Sequence, residues 1–312
     1  MKISMQMYSG MPLNRQSKER KNDNWLRRRL SDTNALFIAV KEGQVLATGE
    51  GELNTFLLHA KDLFELALSQ LVFLGEDENG APYFAIDCWE LSPFEEQHLS
   101  SMGKWTEVRN AKRMVSNEVA AILAFAKALC YWHQENGYCG KCGHPSTLEE
   151  GGHMRRCSNS SCNKPTFPRT DPAVIMLVEK TFEDGVTRCL LGRQAKWPKG
   201  RYSTLAGFVD PGETLEEAVI REVYEESSIH CTDATYVASQ PWPFPSSLML
   251  GFIATATTEA IDTTKDELEN ARWYSRDELD TVEATGTLIM PPKDSISYFL
   301  ISSWRRGDIG TL

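Results

Sequence analysis

Residues 207–229 read GFVDPGETLEEAVIREVYEESSI. Five residues separate Gly207 from Glu213, and seven separate Glu213 from the run Arg221-Glu222-Val223-Tyr224-Glu225-Glu226. A helix over 214–226, turning about 100° per residue, puts Glu222 and Glu226 on one face at i and i+4. Leu215, Ala218 and Val219 share that face, while Glu217, Arg221 and Tyr224 turn away. Carboxylates on an apolar stripe are costly to bury unpaired, and two at this spacing repel each other. Serving as hard oxygen ligands for Mg²⁺ or Mn²⁺ would relieve both costs. A helix whose charges merely met water would carry them opposite its apolar stripe.

A second set of chemistry-bearing residues reads Cys139-Gly-Lys-Cys142-Gly-His, then Cys157-Ser-Asn-Ser-Ser-Cys162. Thiolates two residues apart on a glycine turn both reach one tetrahedral zinc, and a second pair closes the shell. The second pair is spaced more widely than usual, so His144 or His153 stands as an alternative to one thiolate. Four protein ligands leave no open position, which makes such a zinc structural rather than catalytic. The other cysteines, Cys88, Cys130, Cys189 and Cys231, are scattered.

A third set is Ser239-Gln240-Pro241-Trp242-Pro243-Phe244-Pro245-Ser246-Ser247. Three alternating prolines exclude a helix and a central strand and predict a stiff extended loop. Such a loop holds Trp242 as a stacking surface for a flat ring.

The elements that must position these sets follow from hydrophobic patterning. Residues 36–40 (LFIAV) and 71–74 (LVFL) read as buried strands, with Gly43, Gly49 and Gly51 as turn signals. Ser116 or Asn117 caps a helix through Ala120, Leu123, Phe125, Ala128, Leu129 and Trp132 that stops near Gly137. Beyond 169, strands at 173–178, 189–191 and 248–257 alternate with helices at 214–226 and from Asp277, which suggests an α/β sandwich. The basic stretch from Lys18 to Arg29 reads first as a solvated or disordered arm, with a phosphate or RNA contact as the alternative.

The chain has 312 residues, 33 Lys plus Arg and 43 Asp plus Glu, a formal net charge of -10. That balance argues against a broad basic face gripping nucleic acid. A polyanionic substrate would need its charge offset locally, and a divalent cation is the simplest means. No signal peptide is legible, and the longest apolar stretch, 119–132, is broken by Lys127 and is too short for a bilayer that requires about 20 apolar residues. A cytoplasmic location is expected, and with it metal-bound thiols rather than disulfides.

The 207–229 segment resembles the Nudix box, in which G, five residues, E and seven residues lead to R-E-apolar-x-E-E-x-G-apolar. Ser228 stands where the box has Gly. That Gly ends its helix with positive φ, which a Ser tolerates at a cost of roughly 1 kcal/mol. The Ser239–Ser247 run looks like the SQPWPFPxS signature of the NADH pyrophosphatase subfamily, which follows the box and reads the dinucleotide. The Cys-rich ribbon and the Phe167-Pro168-Arg169-x-Asp171-Pro172 lead-in are also features of that subfamily. The resemblance covers about 135–312 well and the N-terminal region loosely.

This resemblance implies an α/β fold: a Nudix α/β/α sandwich with a mixed sheet over 169–312, preceded by a zinc ribbon at 136–168 and an α+β N-terminal domain at 1–135. It implies hydrolysis of NADH or NAD⁺ to AMP and NMN(H), and removal of the NAD cap from RNA 5′ ends, whose linkage is the same. Glu222, Glu226 and Glu267 match ligands of Mg²⁺ or Mn²⁺, which would lower the pKa of a bound water. Glu225 or Glu226 would take its proton, and Arg221 would orient a Glu by a charge-assisted bond. Arg109, Phe167, Ala206, Phe208 and Ser297 match substrate contacts, and Gln240, Pro241, Trp242, Pro243, Phe244, Pro245, Ser246 and Ser247 line the substrate. Phe208 would sandwich the nicotinamide against Trp242. Phe167 stands where the family often has Tyr, and Asn270 where it is often acidic. Zn²⁺ at Cys139, Cys142, Cys157 and Cys162, a homodimer and no membrane partner complete the expectation. The rivals are an ADP-ribose or other nucleotide-sugar pyrophosphatase, an inactive dinucleotide-sensing binding module, and a nucleic-acid-binding zinc protein.

Overall fold

The structure is a computed structural model that describes residues 6–49, 53–63, 70–89, 91–111, 115–264 and 267–310. Gly51 and Asp266 lie outside the described residues. The chain forms two compact units. One holds Tyr8–Thr170 and Trp242–Ser246; the other holds Met1–Met7, Asp171–Pro241 and Ser247–Leu312.

The first unit is built on strands β1 (Leu36–Lys41), β2 (Gln44–Ala47), β3 (Leu58–His59), β4 (Leu71–Glu76), β5 (Pro82–Asp87) and β6 (Lys104–Glu107). They run in the order β4-β5-β1-β2-β6, with β3 also on β1, and among the described residues only the β1–β5 pair is parallel. Glu42 and Gly43, both at positive φ, join β1 to β2. That two-residue turn matches the right-handed strand twist. Helix α1 (Asp23–Leu30) is capped by the Asn22 side chain. Helix α2 (Pro93–Met102) starts from a Ser92–Glu95 capping box with Pro at its first position. A short α3 (Val108–Ala111) precedes α4 (Asn117–Glu135), whose N-cap is Ser116.

Of the solvated or disordered arm expected for the basic stretch, the solvated reading fits most of its cations, which are exposed, but the stretch is folded. Its residues form a 3₁₀ turn and α1, Leu26 is buried in the core, and Arg29 ion-pairs with Glu76 at 2.6 Å and donates to the Gly80 carbonyl at 2.8 Å. Charge composition alone conceals the apolar residues that anchor the helix, buried Leu26 with Trp25 and Leu30 packed beside it. Strands β7 (Ser146–Glu149), β8 (Met154–Cys157) and β9 (Pro165–Thr166) make a small antiparallel ribbon in the same unit.

The second unit contains β10 (Asp171–Thr181), β11 (Thr187–Gln194), β12 (Leu205–Phe208), α5 (Leu215–Ser227), β13 (Cys231–Trp242), β14 (Ser247–Ala256), β15 (Leu268–Ser275), α6 (Arg276–Ala284) and α7 (Ile296–Arg305). The order is β13-β14-β10-β11-β15, with β12 also on β10, and β10–β14 is parallel. Side chains alternate across the sheet. Val174, Met176 and Val178 meet Ala218, Val219 and Val223 of α5. Ile175 and Leu177 meet Leu279 of α6 and Ile296, Leu300 and Trp304 of α7. This is the expected α/β/α sandwich with a mixed sheet.

The proline-rich run departs from the extended loop expected of it. Strand β13 continues through Pro241 to Trp242, and a turn at 243–246 leads into β14. β13 is an edge strand, so one of its sides has no ladder to break, and a proline fits there. The exclusion of a central strand holds.

Candidate active site

The acidic helix begins at Thr214, which forms a capping box with Glu217. Just upstream, the Glu213 N–H donates to the Asp210 carbonyl at 3.3 Å across Pro211-Gly212, with Gly212 at φ 101°. This Pro-Gly turn aims the Glu213 carboxylate back at the helix. Ala218, Val219, Val223 and Glu226 are buried, whereas Tyr224 is exposed. Ser228 ends the helix in the left-handed region at φ 59°, its N–H donating to the Tyr224 carbonyl at 2.8 Å. It thus adopts the Gly conformation despite its side chain.

Arg221 gathers the carboxylates. Its Nε and Nη2 fork onto Glu213 at 3.0 and 2.5 Å, and its Nη1 donates to Glu222 at 2.8 Å and to Glu225 at 2.9 Å. Nη2 also donates to the Phe208 carbonyl at 2.8 Å, tying the helix to the end of β12. The Arg221 guanidinium holds the Glu213 carboxyl below its usual range, and these acids in turn raise the arginine. Gly207 explains its place in the spacing: a Cβ there would lie 1.8 Å from Cδ of Glu222 and 2.1 Å from both of its oxygens. The missing side chain makes the cradle for that carboxylate, and Glu226 is 7% exposed one turn on.

Other expected site residues of this unit are spread more widely. The Glu267 carboxylate accepts from Gln194 Nε2 at 3.2 Å. Asn270, paired with Arg193 across β11–β15, accepts from the Tyr202 hydroxyl at 2.8 Å. Ala206 lies opposite Ile175 in β12, and Phe208 is 60% exposed. Ser297 is buried, with its hydroxyl in contact with Ser203 and with the N–H and hydroxyl of Thr204. Gln240 is fully buried: its Nε2 donates to the Asp294 and Met7 carbonyls, and its Oε1 accepts the Ile296 N–H at the start of α7. Its amide is thus engaged inside the protein, with Met7, Asp294 and Ile296.

The turn Trp242–Ser246 belongs to the first unit. Trp242 and Phe244 meet edge to face at 5.2 Å, and buried Tyr8 packs against both. The Arg109 guanidinium, expected at the substrate, lies over Phe244 at 4.0 Å and over Trp242 at 4.9 Å in the proline-rich turn. An open hollow of about 530 Å³ is lined by Glu107, Arg109, Asn110, Lys127, Phe244 and Pro245. Pro243 is buried, Pro245 exposed, and Ser246 intermediate. Ser247, in the other unit, pairs with Asp171. Phe167 is 43% exposed.

In the ribbon, the sulfurs of Cys139, Cys142, Cys157 and Cys162 lie within 4.8 Å of one another. Cys139 and Cys162 are 3.8 Å apart, Cys142 and Cys157 3.4 Å. A zinc with four sulfurs at about 2.3 Å requires sulfur–sulfur edges of about 3.8 Å, so the four thiols fit it. The residue after each second cysteine, Gly143 and Asn163, has positive φ, which turns both halves of the site inward despite their unequal spacing. Backbone N–H groups lower Cys139, and that of His144 lowers Cys142 to about 6, while burial pushes Cys157 up to about 12. His153 is no alternative ligand: its Nε2 bonds the Phe73 carbonyl at 2.7 Å. Among the described residues this is the one such gathering of three or more metal-ligating side chains; Glu222, Glu226 and Glu267 are not drawn together in this way.

Residues 169–291 match the NUDIX domain, 134–167 the NADH pyrophosphatase zinc ribbon domain, and 34–132 the NADH pyrophosphatase-like rudimentary NUDIX domain. The NAD-capped RNA hydrolase NUDT12 of Macaca fascicularis is 34% identical over 341 residues, 96% of this chain and 73% of that one. The chain belongs to the NADH pyrophosphatase branch of the Nudix hydrolases. Two further relatives agree: the NAD-capped RNA hydrolase of Schizosaccharomyces pombe, 31% identical over 97% of this chain and 93% of its own, and the human mitochondrial NAD(P)H pyrophosphatase NUDT13, 38% identical over 75% and 70%.

In this Nudix hydrolase the four-cysteine ribbon is a structural zinc site. Among the described residues no helix is long and apolar enough to cross a membrane. Sequence reasoning left two residues of the Nudix hydrolase out of its site. Glu213 binds Arg221 through both oxygens, and its signal was the fixed spacing from Gly207. Lys127 was seen only as a break in an apolar run, yet it is 8% exposed and reaches the proline-rich turn. Its signal was that break: a lone cation on a buried helix face has to meet something.

Proposed function

We propose that this enzyme hydrolyses the pyrophosphate of NADH and NAD⁺ to AMP and NMN(H), and that it removes the NAD cap from RNA 5′ ends through the same linkage. The observation that carries the reading is the Gly207 cradle, which seats Glu222 beside buried Glu226 while Arg221 gathers Glu213 and Glu225. Hard carboxylate oxygens and a cleared cradle fit a divalent cation. Mg²⁺ or Mn²⁺ held by Glu222, Glu226 and Glu267 would neutralise the diphosphate and lower the pKa of its water.

The chain's own groups supply the rest. Arg221 orients carboxylates and does not touch phosphate, since its donors already meet Glu213, Glu222, Glu225 and the Phe208 carbonyl. Glu225 or Glu226 takes the proton of the attacking water. The turn Trp242–Ser246, with Arg109, reads the nicotinamide end. The proposed domains are 1–135, the ribbon 136–168 and the hydrolase 169–312; the family resemblance supports a homodimer, and free cysteines support a reducing, cytoplasmic setting. The test is product analysis of NADH incubated with Mg²⁺ or Mn²⁺ and with a chelator. AMP and NMNH should appear only with the cation; cleavage that survives chelation contradicts the assignment.

A further inference from the structure

Helix α4 carries one cation among its buried residues. Val119, Ala120, Ile122, Leu123, Ala126, Leu129 and Cys130 are apolar, and Lys127 sits between them. Desolvation by burial lowers its pKa, so the fold bears a cost that a leucine here would avoid. The ammonium goes to one place. Nζ donates to the Pro243 carbonyl at 2.7 Å and lies 4.6 Å from the centre of the Phe244 ring. Both partners belong to the Trp242–Ser246 turn.

That turn is short of donors. Pro243 and Pro245 have no N–H, and the Phe244 N–H is spent on the Trp242 carbonyl at 2.7 Å. Lys127 supplies from outside the turn the donor that the Pro243 carbonyl accepts. A second feature keeps the path of the lysine open. A Cβ on Gly43 would lie 2.9 Å from Cε of Lys127 and 3.3 Å from Nζ, and the β1–β2 turn presents a glycine there. Arg109 is a second cation on the turn, over Phe244, the ring that Lys127 meets, and over Trp242.

We infer that Lys127 is a positioning residue that sets selectivity for the nicotinamide end of the substrate, by fixing Pro243 and Phe244 and through them Trp242. The inference rests on the proposed NAD(H) activity. It concerns binding of the ring and not the chemistry at the diphosphate, so its signature is a split between substrates and between KM and kcat.

The test compares NADH with ADP-ribose, which keeps the diphosphate and lacks the nicotinamide. Lys127→Met, matched in length but without charge or donor, should raise KM for NADH about tenfold and change kcat less than about threefold. KM for ADP-ribose should move less than about threefold. Lys127→Arg, which keeps a donor, should recover most of the affinity. Gly43→Ala, which leaves the lysine in place but crowds it, should reproduce the selective rise. An unchanged KM for NADH in Lys127→Met, or equal losses on both substrates, overturns the inference. Amide hydrogen exchange at Phe244 in the substrate-free protein gives a readout independent of activity: it should quicken at least tenfold in Lys127→Met, and an unaltered rate overturns the positioning role. A wild-type protein that leaves NADH intact would remove the functional reading, and the exchange arm would still decide whether Lys127 holds the turn.

Discussion

The two sheets of this chain share one strand order. β1 takes β5 parallel on one side and β2 antiparallel on the other, with β3 on β1, β6 beyond β2 and β4 beyond β5. β10, β14, β11, β12, β15 and β13 fill the same places in the second sheet. The difference lies between the third and fourth strands. There the second sheet carries the Glu213 turn and the 13-residue helix α5; in the first, only residues 60–70 separate β3 from β4, too few to hold both. The same scaffold is thus chemically equipped in one copy and bare in the other, in accord with its match to a rudimentary NUDIX domain. On the proposed function, chemistry belongs to the inserted helix and not to the sheet. The first copy keeps a different task, since α3 and α4 carry Arg109 and Lys127, which grip the proline-rich turn.

If that division is right, carboxylates should matter in one copy and not in the other. Glu226→Gln should lower kcat on NADH by about 10³-fold or more, the range expected when a metal ligand or general base is lost. Glu96→Gln on α2 should change it less than twofold. Gly207→Ala should cost about 10²-fold with the fold intact by circular dichroism, because the new methyl occupies the cradle of Glu222. A Glu226→Gln enzyme with normal kcat would break the comparison.

Zinc should stabilise one unit only. Cys157→Ser, or prolonged chelation, should release the ribbon zinc, lower the unfolding free energy of the first unit by several kcal/mol and bring down its melting transition. The transition of the second unit should stay within about 2 °C. Calorimetry with metal analysis reads both.

Acid should also separate the units. His133 is held near 3 and His153 near 4, chiefly by burial and then by Arg155 and Arg20 respectively, against 6.5 when unfolded. The geometry agrees: Arg155 Nη1 donates to His133 Nδ1 at 3.0 Å, so the ring is neutral and its Nε2–H donates to the Gly152 carbonyl at 2.8 Å. Between these pKa values the unfolded chain binds more protons. Stability is therefore complete above pH 6.5 and lost as pH falls, by about 2–3 kcal/mol per imidazole at pH 4.5. Urea unfolding at pH 7 and pH 4.5 should show the first unit weakening more than the second. The smallest effect is expected at Ser228→Gly, which should stabilise α5 by about 1 kcal/mol by removing a Cβ from the left-handed region, with kcat unchanged.

Much of the second unit was legible because each of its signals is local. The i, i+4 carboxylates, the Gly207–Glu213 spacing and the alternating apolar runs depend on neighbours in sequence, and the structure places them on a helix packed against a sheet. What was not legible depends on partners far along the chain. Lys127 meets Pro243 across 116 residues, and Gln240 meets Met7 across 233. Nothing near either residue announces its partner. The folding of the basic stretch was hidden for the same reason, since Glu76 and Gly80, which hold Arg29, come about fifty residues later.

The most direct measurement sets NADH, NAD⁺, ADP-ribose and NAD-capped RNA side by side, each with the wild type and Glu226→Gln, with and without Mg²⁺ or Mn²⁺. The predicted result is cation-dependent release of AMP and NMNH from NADH, with cap removal from RNA, both absent in Glu226→Gln. Equal turnover of NADH by the two proteins, or cleavage of ADP-ribose alone, would contradict the account.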